Sequence, residues 1–314
     1  NTRILQILNS RFALEHKLAL RARTQVPGGD PGGRAPKELF KIVERQAKFM
    51  RERFFPRCEV WVSSQYGLST SVDLGLLDRW VPLERELEWI RMIGTAHVRS
   101  FVNGAVYGPW SSLPISEFRE HLHKDLPLRN YPDICHVQTC EMPCQNWDLS
   151  FATTHSRESI NPRPREMARI IQIQAPHTIG CGCYSEGVND DVNKYVWTAL
   201  HWGKDEVGPL SEADVETQLQ SLLIQYASFL AGLSTRSQAE LLAEGIFCLE
   251  MNWNEPLRKG KSVERSIAIF DKIEKNLHPL NRKNWRLNLL MLRATHDAFL
   301  YVVISAFLPA RTDV

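Results

Sequence analysis

The chain has 314 residues, with 43% hydrophobic and 24% charged side chains, a composition that fits a folded protein with a substantial apolar core. Its formal net charge of +2 supplies no global field for nucleic acid or a membrane surface. Arg3 and Arg11 interrupt the first apolar stretch, which argues against a signal peptide. The longest apolar run, Ala298 to Leu308, falls short of the ~20 residues a membrane helix needs. A cytoplasmic protein without a membrane span is the default expectation.

Apolar spacing predicts helix almost throughout. Ile4, Leu5, Leu8, Phe12 and Leu18 mark an N-terminal helix within 1–26. The Gly/Pro stretch of 27–36 is a linker that neither helix nor strand accommodates. Helix resumes from Lys37 to about Phe55, and Leu83, Leu87, Ile90, Ile93, His97 and Phe101 predict an amphipathic helix of several turns. Residues of about 110–164 read as a loop-rich insert holding clustered cysteines, with a short helix at Ile115–His123. Ser211, followed by acidic residues, reads as a helix cap, and helices follow to Leu308. Only Val60–Ser63 and Ile170–Ile173 suggest strands. The expected fold is therefore all-α, with 37–314 forming a single helical domain, a bundle carrying an irregular, cysteine-containing insert.

The most suggestive string for chemistry is Asn189-Asp190-Asp191-Val-Asn193 at the start of a predicted helix. Asn189, Asp190 and Asn193 share a face there, and oxygen ligands so placed suit Mg²⁺ with substrate phosphates; helix capping accounts for the same residues without a metal. Glu84 and Glu88 form a second acidic stripe, with Arg85 and Arg91 close enough to neutralise it. Arg293 and Asp297, four apart in the apolar last helix, are spaced to pair, with His296 beside them. Arg258 and Lys261 follow a crowd of acidic and amide residues at Glu250–Glu255.

This layout resembles a divergent class I terpene cyclase of the fungal sesquiterpene type. Asp190-Asp191-Val192 matches the opening of that family's second metal motif, while Lys194 and Thr198 stand where the family has Ser or Thr and Glu. The resemblance implies a Mg²⁺-dependent lyase or cyclase acting on an isoprenyl diphosphate, such as farnesyl diphosphate. Asp190 and Asp191 would be catalytic; Asn189, Asp190, Asn193, Glu84 and Glu88 would hold metal; Arg163, Arg165, Arg258 and Lys261 would bind diphosphate.

The rival expectation is a non-catalytic helical interaction protein. Its insert would hold Zn²⁺ through Cys135, Cys140, Cys144 and Cys181, although the spacing is not that of a common zinc knuckle.

Overall fold

The computed structural model describes residues 19–23, 36–64, 83–108, 111–131, 160–183, 185, 190–202, 211–254 and 261–307. The chain divides into two compact units, one of Asn1–Pro132 with Gln174–Cys183 and the other of Asp133–Ile173 with Tyr184–Val314. Helix predominates, as the spacing predicts, but the all-α expectation needs one correction: the first unit contains a parallel β-sheet.

That unit runs β1 (Ala19–Arg23), α1 (Pro36–Arg53), β2 (Glu59–Ser63), α2 (Leu83–Ile93), α3 (Ala96–Arg99), β3 (Gly104–Tyr107), α4 (Ile115–His121) and β4 (Leu128–Asn130). The strands lie in sequence order, β1-β2-β3-β4, all parallel. Ile179–Gly182 extends the sheet beyond β4, through Ile179 N to Leu128 O and a parallel bridge between Asn130 and Cys181.

Alternation along the strands gives the sheet two faces. Val60, Val62, Ala105, Tyr107 and Leu128 join one apolar cluster with Phe40, Val43 and Ala47 of α1, Trp89, Ile90 and Ile93 of α2, and Ile115 and Phe118 of α4. The connecting helices thus pack on one face of the sheet. Trp61 and Val106, with Tyr131 packed against them, form a separate cluster on the other. Sequential parallel strands with helices on one side are the winding of which β/α barrels are the closed form.

The amino edge is fixed by Arg51, whose guanidinium donates to the carbonyls of Cys58 and Phe101 and to Asn103 Oδ1. Asn103 Oδ1 also accepts from Val60 N. Gly104 has a steric role: a Cβ there would lie 2.3 Å from the Trp61 ring, so the indole crosses β3 only because this residue has no side chain.

The single helix expected from Leu83 to Phe101 breaks at Gly94–Thr95, where the Thr95 side chain accepts from Val98 N and starts α3. Leu20, which the N-terminal helix was expected to include, lies in β1; residues 1–18 lie outside the described residues. Ile170–Ile173 is helical, whereas Val60–Ser63 is strand.

The second unit is helical among its described residues: α5 (Pro164–Gln174, whose last residue groups with the first unit), α6 (Asp191–His201), α7 (Glu212–Phe229), α8 (Arg236–Asn254), α9 (Lys261–Lys275) and α10 (Trp285–Phe307). Ser211 caps α7 as its sequence predicts, accepting from Asp214 N. Leu219, Leu223, Tyr226 and Ala227 of α7 are buried, as are Leu242, Ala243, Ile246 and Leu249 of α8 and Leu287, Leu290 and Ala294 of α10. Gly245 lets α9 approach closely, because Ile269 and Phe270 would lie within 3.0–3.3 Å of a Cβ there. No helix among the described residues is long and apolar enough to cross a membrane.

Candidate functional site

In wound parallel sheets, ligands collect beyond the carboxyl ends of the strands, where the connecting loops converge. Here that edge is held by a buried carboxylate. Glu86, on α2, is fully buried. Its Oε1 accepts from Ser64 Oγ at 2.8 Å, and its Oε2 from Ser112 N at 2.8 Å. Ser64 follows β2 and Ser112 follows β3, so one side chain ties two carboxyl-end loops together. Burial pushes the Glu86 pKa up, while the Ser64 and Ser111 hydroxyls and the Ser112 and Leu113 amides pull it back down. Nearby, Tyr107 Oη and Ser111 Oγ both donate to the Leu113 carbonyl, at 2.9 and 3.1 Å.

We expect Glu86→Ala to cost about 1–3 kcal/mol, because it strands a buried hydroxyl and a backbone N–H. Denaturant unfolding followed by tryptophan fluorescence reads this directly, and a cost below 0.5 kcal/mol would show that the tie is dispensable.

At the end of β4, Asn130 Nδ2 donates to Gln174 Oε1, with both residues buried. Among the described residues Asn130 Oδ1 has no hydrogen-bond partner. On the sheet face away from the helices, Arg129 lies over the Trp61 ring at 4.0 Å from its centroid. Trp61 is itself held by Nε1 donating to Glu59 Oε2 at 3.1 Å.

The second unit holds most of the residues singled out from the sequence. Asp190, 2% exposed, accepts from Ser185 Oγ at 2.9 Å beside the first turn of α6. Asp191 Oδ2 accepts from Arg286 Nε at 2.7 Å and from Tyr226 Oη at 2.9 Å. Burial and the Asp191 carboxylate raise the Tyr226 pKa, which keeps the phenol a donor. Asn193 clamps backbone on both sides: Oδ1 accepts from Arg163 N at 2.7 Å and Nδ2 donates to Asn161 O at 2.8 Å.

Arg163 is buried. Arg165 pairs with Glu216 at 2.6 Å and lies 3.6 Å from Glu250. Glu250, 1% exposed, accepts from the backbone N–H groups of Arg165 and Glu166, at 3.3 and 3.1 Å, and so caps the start of α5. Burial drives its pKa up to about 7, against the pull of those amides and of Arg165 and Arg163.

The structure thus brings Arg163, Arg165 and Asn193 together with Glu250. Glu84 and Glu88 are exposed on α2, in the first unit. Lys261 is exposed at the first residue of α9. Asn189, Arg258, Cys135, Cys140 and Cys144 lie outside the described residues, and Cys181 is half-buried at the Asn130 bridge.

A groove of about 590 Å³ is lined by residues including Arg165, Arg236, Arg265, Glu240, Glu244 and Phe247. Each of its arginines already faces a carboxylate: Arg165 with Glu216, Arg236 with Glu240, Arg265 with Glu244. As a diphosphate site it has no uncompensated cation. Among the described residues, no three His, Cys, Asp or Glu side chains gather as metal ligands.

No family model, no curated protein and no solved structure matches this chain.

Glu86 and Arg129 escape the sequence reading for different reasons. Glu86 had a signal: it lies three, four and seven residues before Trp89, Ile90 and Ile93, on the apolar face of its helix. Glu84 and Glu88 are out of that phase. Arg129 had none, because three residues of strand are too short to show alternation.

Proposed function

We propose that this protein binds a small polar ligand at the carboxyl edge of the parallel sheet in its first unit, in the manner of α/β enzymes. The observation carrying this reading is the Ser64–Glu86–Ser112 tie. A buried carboxylate is a costly way to hold two loops, and the loops it fixes are those that shape ligand sites in wound parallel sheets.

A thermal-shift panel on the full chain tests this reading, with neutral sugars, phosphate esters, carboxylic acids, and isoprenyl diphosphates with Mg²⁺ or with EDTA. The expected result is saturable stabilisation by one of the first three classes, weakened by Glu86→Gln. Failure of all three to stabilise folded protein would overturn it. The isoprenyl diphosphate arm keeps the lyase reading open to its own result: metal-dependent stabilisation with pyrophosphate release, lost in Asp190→Ala, would move the active site to the second unit.

A non-catalytic interaction role is the second reading. It is favoured by the stripe of Leu292, Phe299 and Val302 on α10, which are 59%, 63% and 64% exposed, since contiguous exposed apolar surface marks contact sites.

A further inference from the structure

We infer that Arg129, stacked on Trp61, is an oxyanion subsite, taking the phosphate or carboxylate group of a small molecule. The inference rests on the ligand-binding reading above and names the chemistry of the ligand.

The other half-buried arginines of the first unit each have acceptors. Arg51 serves two carbonyls and Asn103. Arg99 bonds the Gly94 carbonyl and Asp125. Arg119 bonds the carbonyls of Leu122, His123 and Leu126. Arg129 differs. Among the described residues its guanidinium has neither a carboxylate partner nor a hydrogen-bond acceptor, and its one contact of this kind is the face of Trp61.

Arg129 is half-buried, and the aromatic face attracts its charge without accepting its N–H groups. Stacking leaves the planar N–H fork free at its edge, and that fork matches the two oxygens of a carboxylate or phosphate. The surroundings fix the platform rather than the charge. Glu59 holds the indole Nε1 at 3.1 Å, Gly104 clears the space beneath the ring, and Tyr131 packs against the same cluster. The sheet therefore holds a pre-oriented cation on the face opposite its connecting helices.

Line broadening in ³¹P spectra of inorganic phosphate and ¹³C spectra of labelled acetate, each titrated with full-length protein, tests the subsite and separates the two oxyanions. The expected result is saturable broadening of at least one ion, weakened at least ten-fold in Arg129→Gln. Arg129→Lys should weaken it less, since it keeps the charge but loses the fork. Arg53→Gln, on an exposed helix end, should bind as wild type. Circular dichroism confirms that each variant is folded. Equal binding by wild type and both Arg129 variants, or no binding of either ion to wild type, would overturn the subsite. If neutral ligands alone stabilise the protein in the thermal-shift panel, the oxyanion subsite falls while the ligand-binding reading stands.

Discussion

Asp297→Ala is expected to destabilise the second unit by about 3–5 kcal/mol, the usual cost of breaking a buried ion pair from one side. Asp297 is fully buried and Arg293 is 4% exposed. The carboxylate accepts from Arg293 Nε at 2.7 Å and from Asn252 Nδ2 at 2.7 Å. Arg293 also donates to the Ile160 carbonyl. Without Asp297 the guanidinium loses this carboxylate, in a place water does not reach. Asn252 loses its acceptor as well, and its Oδ1 already has no partner among the described residues. Replacing both charges, as in Arg293→Met with Asp297→Leu, should recover most of the loss, because it removes the stranded charge along with the pair. Urea unfolding followed by circular dichroism measures both variants. A loss below 1 kcal/mol for Asp297→Ala would contradict the account.

A comparable effect is expected from pH, through Glu250. Its pKa in the folded protein is about 7, against an ordinary 4.5, with burial as the main cause. The folded chain therefore holds this proton more tightly than the unfolded chain does. The resulting stabilisation is full below pH 4.5 and is lost as pH rises through 7. A shift of this size corresponds to about 3 kcal/mol. The charged groups facing the carboxyl are Arg165 and Arg163, which favour ionisation together with the amides of Arg165 and Glu166 but do not outweigh the loss of hydration. Glu250→Gln keeps the shape and cannot titrate. Denaturation at pH 5 and pH 8 should show wild type losing about 2–3 kcal/mol more than the glutamine variant across that range. Identical pH profiles for the two proteins would contradict a raised Glu250 pKa.

Both networks bear on what the sequence discloses. The Arg293–Asp297 pair is readable, because four-residue spacing inside an apolar helix fixes who can meet whom. Ser211 is readable because a cap is a local device. The strands are harder. Val60-Trp61-Val62 is a short apolar run of the kind buried parallel strands show, but Gly104-Ala-Val-Tyr107 resembles a helix end. Gly104 there makes way for Trp61, a residue more than forty positions earlier in the chain. Gly94 and Thr95 break a helix whose apolar spacing runs on past them, so local capping outweighed periodicity.

The site divides in the same way. Acidic strings draw attention to Asp190, Asp191, Glu84 and Glu88. Asp191 meets Arg286 and Tyr226 from distant helices, and no spacing rule names such partners. Glu86 and Glu250 look ordinary in the sequence, yet they are buried carboxyl groups that hold backbone in place. A carboxylate in phase with the apolar face of its helix is the signal to look for. Arg129 and Trp61 are joined across β3 by the sheet alone.

The proposed ligand sits at the carboxyl edge of the first unit's sheet. Hydrogen–deuterium exchange tests it most directly, on the full chain with and without the compound that stabilises it most in the thermal-shift panel. The account predicts slowed exchange in peptides covering 61–64, 105–113 and 128–131. Slowing confined to peptides within 211–254 and 261–307 would contradict it and place the functional site among the helices of the second unit.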